Sequence, residues 1–176
     1  NNLAKKVSCP PYDVLSSDEA RDAVRNNAKS FLRVVKPEVD FADTIISKDE
    51  IVHQKAYYNL SAFIREGLLI RDQEECFYVY RISKSGHVQT GLVAAVSVEE
   101  YNDQRIKKHE HTRPEKEDDR TLHISTTRAN TGPVFLVFKN DGSFKELISR
   151  YAREESIIYF DADDGSSHSI KKIDNK

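Results

Sequence analysis

Two histidines, five acids and five bases fall within the fourteen residues from Lys107 to Arg120, KKHEHTRPEKEDDR, and these side-chain types define the chemistry available. His109 or Glu110 can accept a proton, and Asp119 or Glu115 can help hold Mg2+. Arg113 and Arg120 can grip a phosphoryl or carboxylate group in bidentate fashion. A transition-metal site is not expected. His109 and His111 lack the HExxH spacing, and no cysteine lies near them.

The run divides at Thr112. Thr112 followed three residues later by Glu115 reads as a capping box, with Pro114 in the first turn, where its missing N–H costs nothing. His109, Glu110 and His111 then form the approach to a helix N-terminus, whose free N–H groups and partial positive charge suit an anion. Glu115, Glu117, Asp118 and Asp119 answer that same dipole themselves, so the plainer reading of the helix is a solvated face laced with ion pairs.

A second stretch, Cys9-Pro10-Pro11-Tyr12-Asp13-Val14-Leu15, is held extended by its prolines. It presents Tyr12 for stacking on a ligand and Asp13 as a hydrogen-bond acceptor. The structural alternative is a docked arm whose tyrosine fills a groove.

Other elements must position these residues. Ser or Thr followed three residues later by Glu marks four further helix starts: Ser16 with Glu19, Ser47 with Glu50, Ser97 with Glu100 and Ser143 with Glu146. The second opens the strongest helix, with Val52, Ala56, Leu60, Phe63 and Ile64 on one face and Gly67 as its stop. The last carries a stripe of Phe144, Leu147, Ile148 and Tyr151. Cys76 to Ile82 and His87 to Val98 read as a hairpin across Ser83-Lys84-Ser85-Gly86, with Leu92 to Val96 buried. Thr131 to Phe138 reads as a strand covered on both faces, because its VFLVF run has no polar alternation. Ile157 to Phe160 and Ser169 to Ile173 read as a closing hairpin, and Phe31 to Val35 as a short early strand. Helices and hairpins alternate without βαβ regularity. The expectation is therefore an α+β fold with a mixed, mostly antiparallel sheet and several capped helices, in a single domain over residues 1–176.

With 27 basic and 29 acidic side chains the formal net charge is −2, so no global field favours nucleic acid or an anionic membrane. An anionic ligand must be held locally. No apolar run approaches the ~20 residues of a membrane span, and the expected location is the cytoplasm. Cys9 and Cys76 show neither disulfide nor zinc spacing and read as inert thiols. Methionine is absent.

The combination of CPPYDVLS, SFLRVVKPEVD, KKHEHTRPEKEDDRTLHI and NTGPVFLVF resembles the prokaryotic domain-of-unknown-function 1015 family over most of the chain. His109, Glu110 and Thr112 match a His-Glu-x-Thr element of that family, and Asp119-Arg120 matches a downstream Asp-Arg. The family is similar at a distance to ParB and sulfiredoxin-like proteins, which include nucleotide-dependent kinases of free serine. The resemblance thus implies a serine-kinase-like phosphotransferase acting on a small hydroxylated metabolite, with Mg2+ and ATP or ADP. His109, Glu110 and Asp119 would be its catalytic residues, and Tyr12, Asp13, Thr112, Arg113 and Arg120 its ligand-binding residues. Full-length relatives carry an Asp-Gly-His-His-Arg phosphate element. Asp141-Gly142 and Asp164-Gly165 here continue differently, which implies the N-terminal part of a longer protein. The alternative is a non-catalytic module that binds a nucleotide or metabolite.

Overall fold

The computed structural model describes residues 2–42, 49–109, 111–139, 142–151 and 155–173. Within it the chain forms two compact units. One is helical, Lys6–Ile70 with Glu110–Phe135, and the other is built on a sheet, Asn1–Lys5, Arg71–His109 and Leu136–Lys176.

Short polar caps start the helices. After α1 (Asn2–Val7), Ser16 caps α2 (Ser17–Val24): its hydroxyl accepts from the Glu19 N–H while the Glu19 carboxylate accepts from the Ser16 N–H, the expected reciprocal box. The region expected as an early strand is instead one helical turn, α3 (Leu32–Val35), followed by a 3-10 turn at Pro37–Asp40. Burial overrides the β-branched propensity there. Leu32 and Val35 pack with Ala20, Val24 and Val39, while Val34 faces Leu60 and Phe63, and only a tight turn serves both sides.

Helix α4 (Glu50–Arg65) buries Val52, His53, Ala56, Leu60 and Phe63, but Ile64, expected on that face, is exposed. Its N-cap is Asp49, and Ser47 lies outside the described residues. The helix stops as expected at Gly67, φ +70°, in a Schellman arrangement: Leu68 N–H donates to Phe63 O and Gly67 N–H to Ile64 O. Leu68 then packs on the cluster that contains Phe63. Helix α6 (Pro114–Thr127) packs against α4 in the same unit.

In the sheet unit, β1 (Phe77–Lys84) and β2 (His87–Val93) form the expected hairpin, turning on Ser85 and Gly86, both at positive φ. β3 (Ile158–Asp161) and β4 (Ser167–Ile173) form the second. All pairs are antiparallel in the order β2-β1-β4-β3, so the fold is α+β as expected. α7 (Ser143–Tyr151) covers one face, where Val79, Ile148 and Ile173 form the core with Phe144 and Tyr151 against them. Ser97 caps the short α5 (Val98–Asn102) by accepting from Glu99 and Glu100 N–H.

Two apolar runs depart from expectation. Leu92 and Val93 end an edge strand, and with Val96 they are exposed, not buried, because β2 has a neighbour on one side only. Val134 to Phe138 forms no strand and is exposed throughout. No described segment offers it a ladder, and β-propensity without a partner does not make a strand.

Candidate functional site

A polar seam joins α6 to α4 inside the helical unit. On α6, Asp119, Arg120, His123 and Thr127 recur at helical spacing, the last two fully buried and the first two partly so. Across from them on α4 sits His53, 2% exposed. The two imidazoles meet edge to face with ring centroids 6.0 Å apart. His53 Nε2 lies 3.6 Å from Asp119 Oδ1, close enough for charge interaction but too far for a hydrogen bond.

Asp119 orients Arg120: its Oδ2 accepts from Arg120 Nε at 3.0 Å and from Nη2 at 2.6 Å. The guanidinium also stacks on the Tyr12 ring, 4.4 Å from its centroid. Tyr12 is brought there by the Pro-Pro arm, which packs with Cys9 and Leu15 on the α2 core. The third wall is the turn after α3. Lys36 Nζ lies 3.2 Å from Glu38 Oε1, which also accepts from Ser17 Oγ at 3.1 Å. That turn is itself held by Arg33, which pairs with Asp40 and donates to Val24 O, and by Asn59, which donates to Arg33 O and to Asp40.

These walls enclose a cavity of about 40 Å³ lined by Tyr12, Lys36, Glu38, His53, Lys116 and Arg120, with Asp119 and His123 at its floor. A second, more open hollow of about 210 Å³ lies against His53 and Asp119, bounded by Glu115, Asp118 and Leu122. The first brings three cations together and the second three carboxylates.

Several buried polar atoms at the first cavity have no partner. Neither ring nitrogen of His53 makes a hydrogen bond, nor does Nδ1 of His123. His123 Nε2 shares a proton with Thr131 Oγ1 at 3.0 Å. Burial pushes both imidazoles toward the neutral form, with Arg120 opposing charge as well. His53 falls below the usual histidine value, and His123 falls to about 4.

Of the residues singled out in the sequence, Tyr12, Asp119 and Arg120 come together here. Asp13 is exposed, as are His109, Thr112 and Arg113, and none of the four lines the cavity. Glu110 lies outside the described residues. Thr112 does not cap α6. Arg113 is the N-cap, and the Thr112 hydroxyl donates to Glu117 at 3.1 Å instead. The helix starts one residue later because the fixed φ of Pro114 places it at the first helical position. Glu115, Glu117 and Asp118 face water as expected, whereas Asp119 turns inward, and Arg120 pairs with it. His53, His123, Lys36 and Glu38 escaped sequence reasoning. A usable signal was the polar stripe Asp119, His123, Thr127 on a helix with no apolar face.

Elsewhere, Tyr80 Oη bonds His168 Nδ1 at 2.6 Å and Ser166 Oγ bonds His168 Nε2 at 2.7 Å, with the ring stacked on Phe160. Both ring nitrogens are satisfied there, so that cluster braces the β3–β4 hairpin. Burial pushes the Cys9 thiol up to about 11, which leaves it unreactive at neutral pH. Among the described residues no three His, Cys, Asp or Glu side chains are arranged to hold a metal ion, and no helix is long and apolar enough to cross a membrane.

Three of the four sequence stretches that carried the family resemblance line the cavity: Tyr12 from the first, Lys36 and Glu38 from the second, and Asp119, Arg120 and His123 from the third, while Thr131 from the fourth bonds His123. The model of the family described as protein of unknown function DUF1015 matches residues 1–176. The chain belongs to this family. No curated protein and no solved structure matches this DUF1015 chain.

Proposed function

We propose that the helical unit of this DUF1015 protein binds a small anionic metabolite, a phosphoryl or carboxylate compound, in the Arg120 cavity. The observation that carries this reading is the convergence of Lys36, Lys116 and Arg120 on one cavity, with the buried His53 in its wall. Arg120 is preorganised by Asp119 and Tyr12, so little side-chain freedom is lost when it grips an oxyanion. Phosphoserine, ADP and ATP should each be tried in a thermal-shift experiment. A true ligand at a hundred times its dissociation constant stabilises by ~2.7 kcal/mol. Arg120→Ala should abolish that shift. If none of these anions raises the melting temperature, the reading fails.

A second reading is phosphotransfer to a hydroxylated metabolite such as serine, with Mg2+ and ATP or ADP. It is favoured by the Asp119–Arg120 pair lining one cavity with Lys36 and Lys116, cations that can hold phosphoryl oxygens. His109, one of the proton acceptors expected from the resemblance, does not line this cavity. Formation of phosphoserine from serine, followed by phosphorus NMR, separates turnover from binding alone.

A further inference from the structure

We infer that this protein forms a two-fold dimer in which the free edge of β2 (His87–Val93) pairs antiparallel with the same strand of a second copy, joining two four-stranded sheets into one.

The two edges of the sheet differ in how they meet a neighbour. Folded proteins blunt a sheet edge by keeping it short, or by placing charged residues, proline or a bulge on it. β3 is four residues long and ends in the carboxylate of Asp161, so it offers little ladder. β2 is seven residues long, HVQTGLV, with no acid, lysine, arginine or proline. It pairs residue for residue with β1 from Tyr78–Val93 to Lys84–His87, without a bulge. Its outward N–H and C=O groups therefore form a regular row, and no strand among the described residues pairs with it.

Self-complementarity selects a second copy as the occupant. About a two-fold axis, whatever residue i meets on the other copy meets residue i in return. Only an axis through Thr90 brings the whole of β2 into register. It sets Val88 against Leu92 of the second copy, Thr90 against its own counterpart, Gln89 against Gly91 and His87 against Val93. Leu92 lies directly across from Val79 on β1, so Val88, Thr90 and Leu92 share the sheet face on which α7 packs. α7 covers Val79 and Ile173 but leaves Val88 and Leu92 exposed. Pairing matches Val88 with Leu92 on each side of a Thr–Thr pair, and the apolar face continues from one copy into the next. Charge permits this register, because with neither carboxylate nor ammonium on β2 no like charges meet across the axis. A single strand pair is a small interface, so the dimer should form at micromolar concentration and not below.

The test is sedimentation of the unaltered protein from low to several hundred micromolar. The mass should rise from one chain to two, and a single-chain mass throughout overturns the inference. Thr90→Lys places two ammonium groups opposite each other on the axis and should weaken the dimer about tenfold, as should Thr90→Glu with two carboxylates. Mixed in equal amounts, the two variants should recover a dimer of one copy of each. Folded variants that dimerise like the parent, or that stay apart when mixed, overturn the β2 pairing. Should either variant fail to fold, hydrogen exchange on the unaltered protein decides the matter. The outward amides of His87–Val93 should slow as concentration rises, while those of β3 keep their rate. Protection of β2 that is independent of concentration means that its own chain covers the edge, and protection rising only elsewhere means a different interface. Either result overturns the inference.

Discussion

At the scale of single residues, the histidines of the α4–α6 seam make stability depend on pH with a definite sign. His123 is depressed from the ordinary 6.5 to about 4, so between those values the unfolded chain binds a proton that the folded chain refuses. Its contribution is fully present above about pH 6.5 and is lost as pH falls toward 4, and His53 acts in the same direction. The stake for His123 is up to about 3 kcal/mol. The melting temperature should fall between pH 7 and 4.5, and His123→Gln should flatten that fall even if it lowers stability at neutral pH. An equally steep profile in the variant would assign the acid sensitivity to other groups. Tyr12, Asp119 and Arg120 were legible in the sequence because a rigid aromatic arm and an Asp-Arg pair are unusual in themselves. His53 was not, since a histidine on the apolar face of a helix looks like any other core residue until its unpartnered nitrogens are seen.

At the scale of elements, capping chemistry was the most readable signal, and burial decided where it failed. The box at Ser16 forms as written, Ser97 caps α5 while the Glu100 carboxylate accepts from Arg105 instead, and Pro114 moves the start of α6 past Thr112. Phe31 to Val35 becomes a helical turn because Leu32, Val34 and Val35 must face two clusters at once, and no local pattern announces two clusters. The stop of α4 is where sequence and geometry agree most closely. Gly67 sits at φ +70° with open space where a side chain would project, so Gly67→Ala meets no steric clash and carries only the backbone cost of the left-handed region, about 1 to 2 kcal/mol. Chemical denaturation should show a lower midpoint with an unchanged slope. A variant as stable as the parent would mean that the Schellman turn does not depend on glycine.

At the scale of the whole chain, a formal net charge of −2 leaves no general attraction for anions, so whatever anion this DUF1015 protein takes must be held by local arrangement. The cavity meets that condition by drawing on separated stretches of sequence: residue 12, residues 35 to 38, residue 53 and residues 116 to 123. That dispersion is why composition could exclude a nucleic-acid field yet could not assemble the site. It also gives the molecule a fingerprint. Hydrogen exchange with and without saturating methyl phosphate should show slowed amides concentrated in those stretches, because a ligand bound only by the folded cavity suppresses the local openings that expose them. The β1–β2 hairpin, which contributes no cavity residue, should exchange at nearly its former rate. Protection confined to the sheet, or absent from α4 and α6 while the anion is demonstrably bound, would place the ligand elsewhere and remove the Arg120 cavity from consideration.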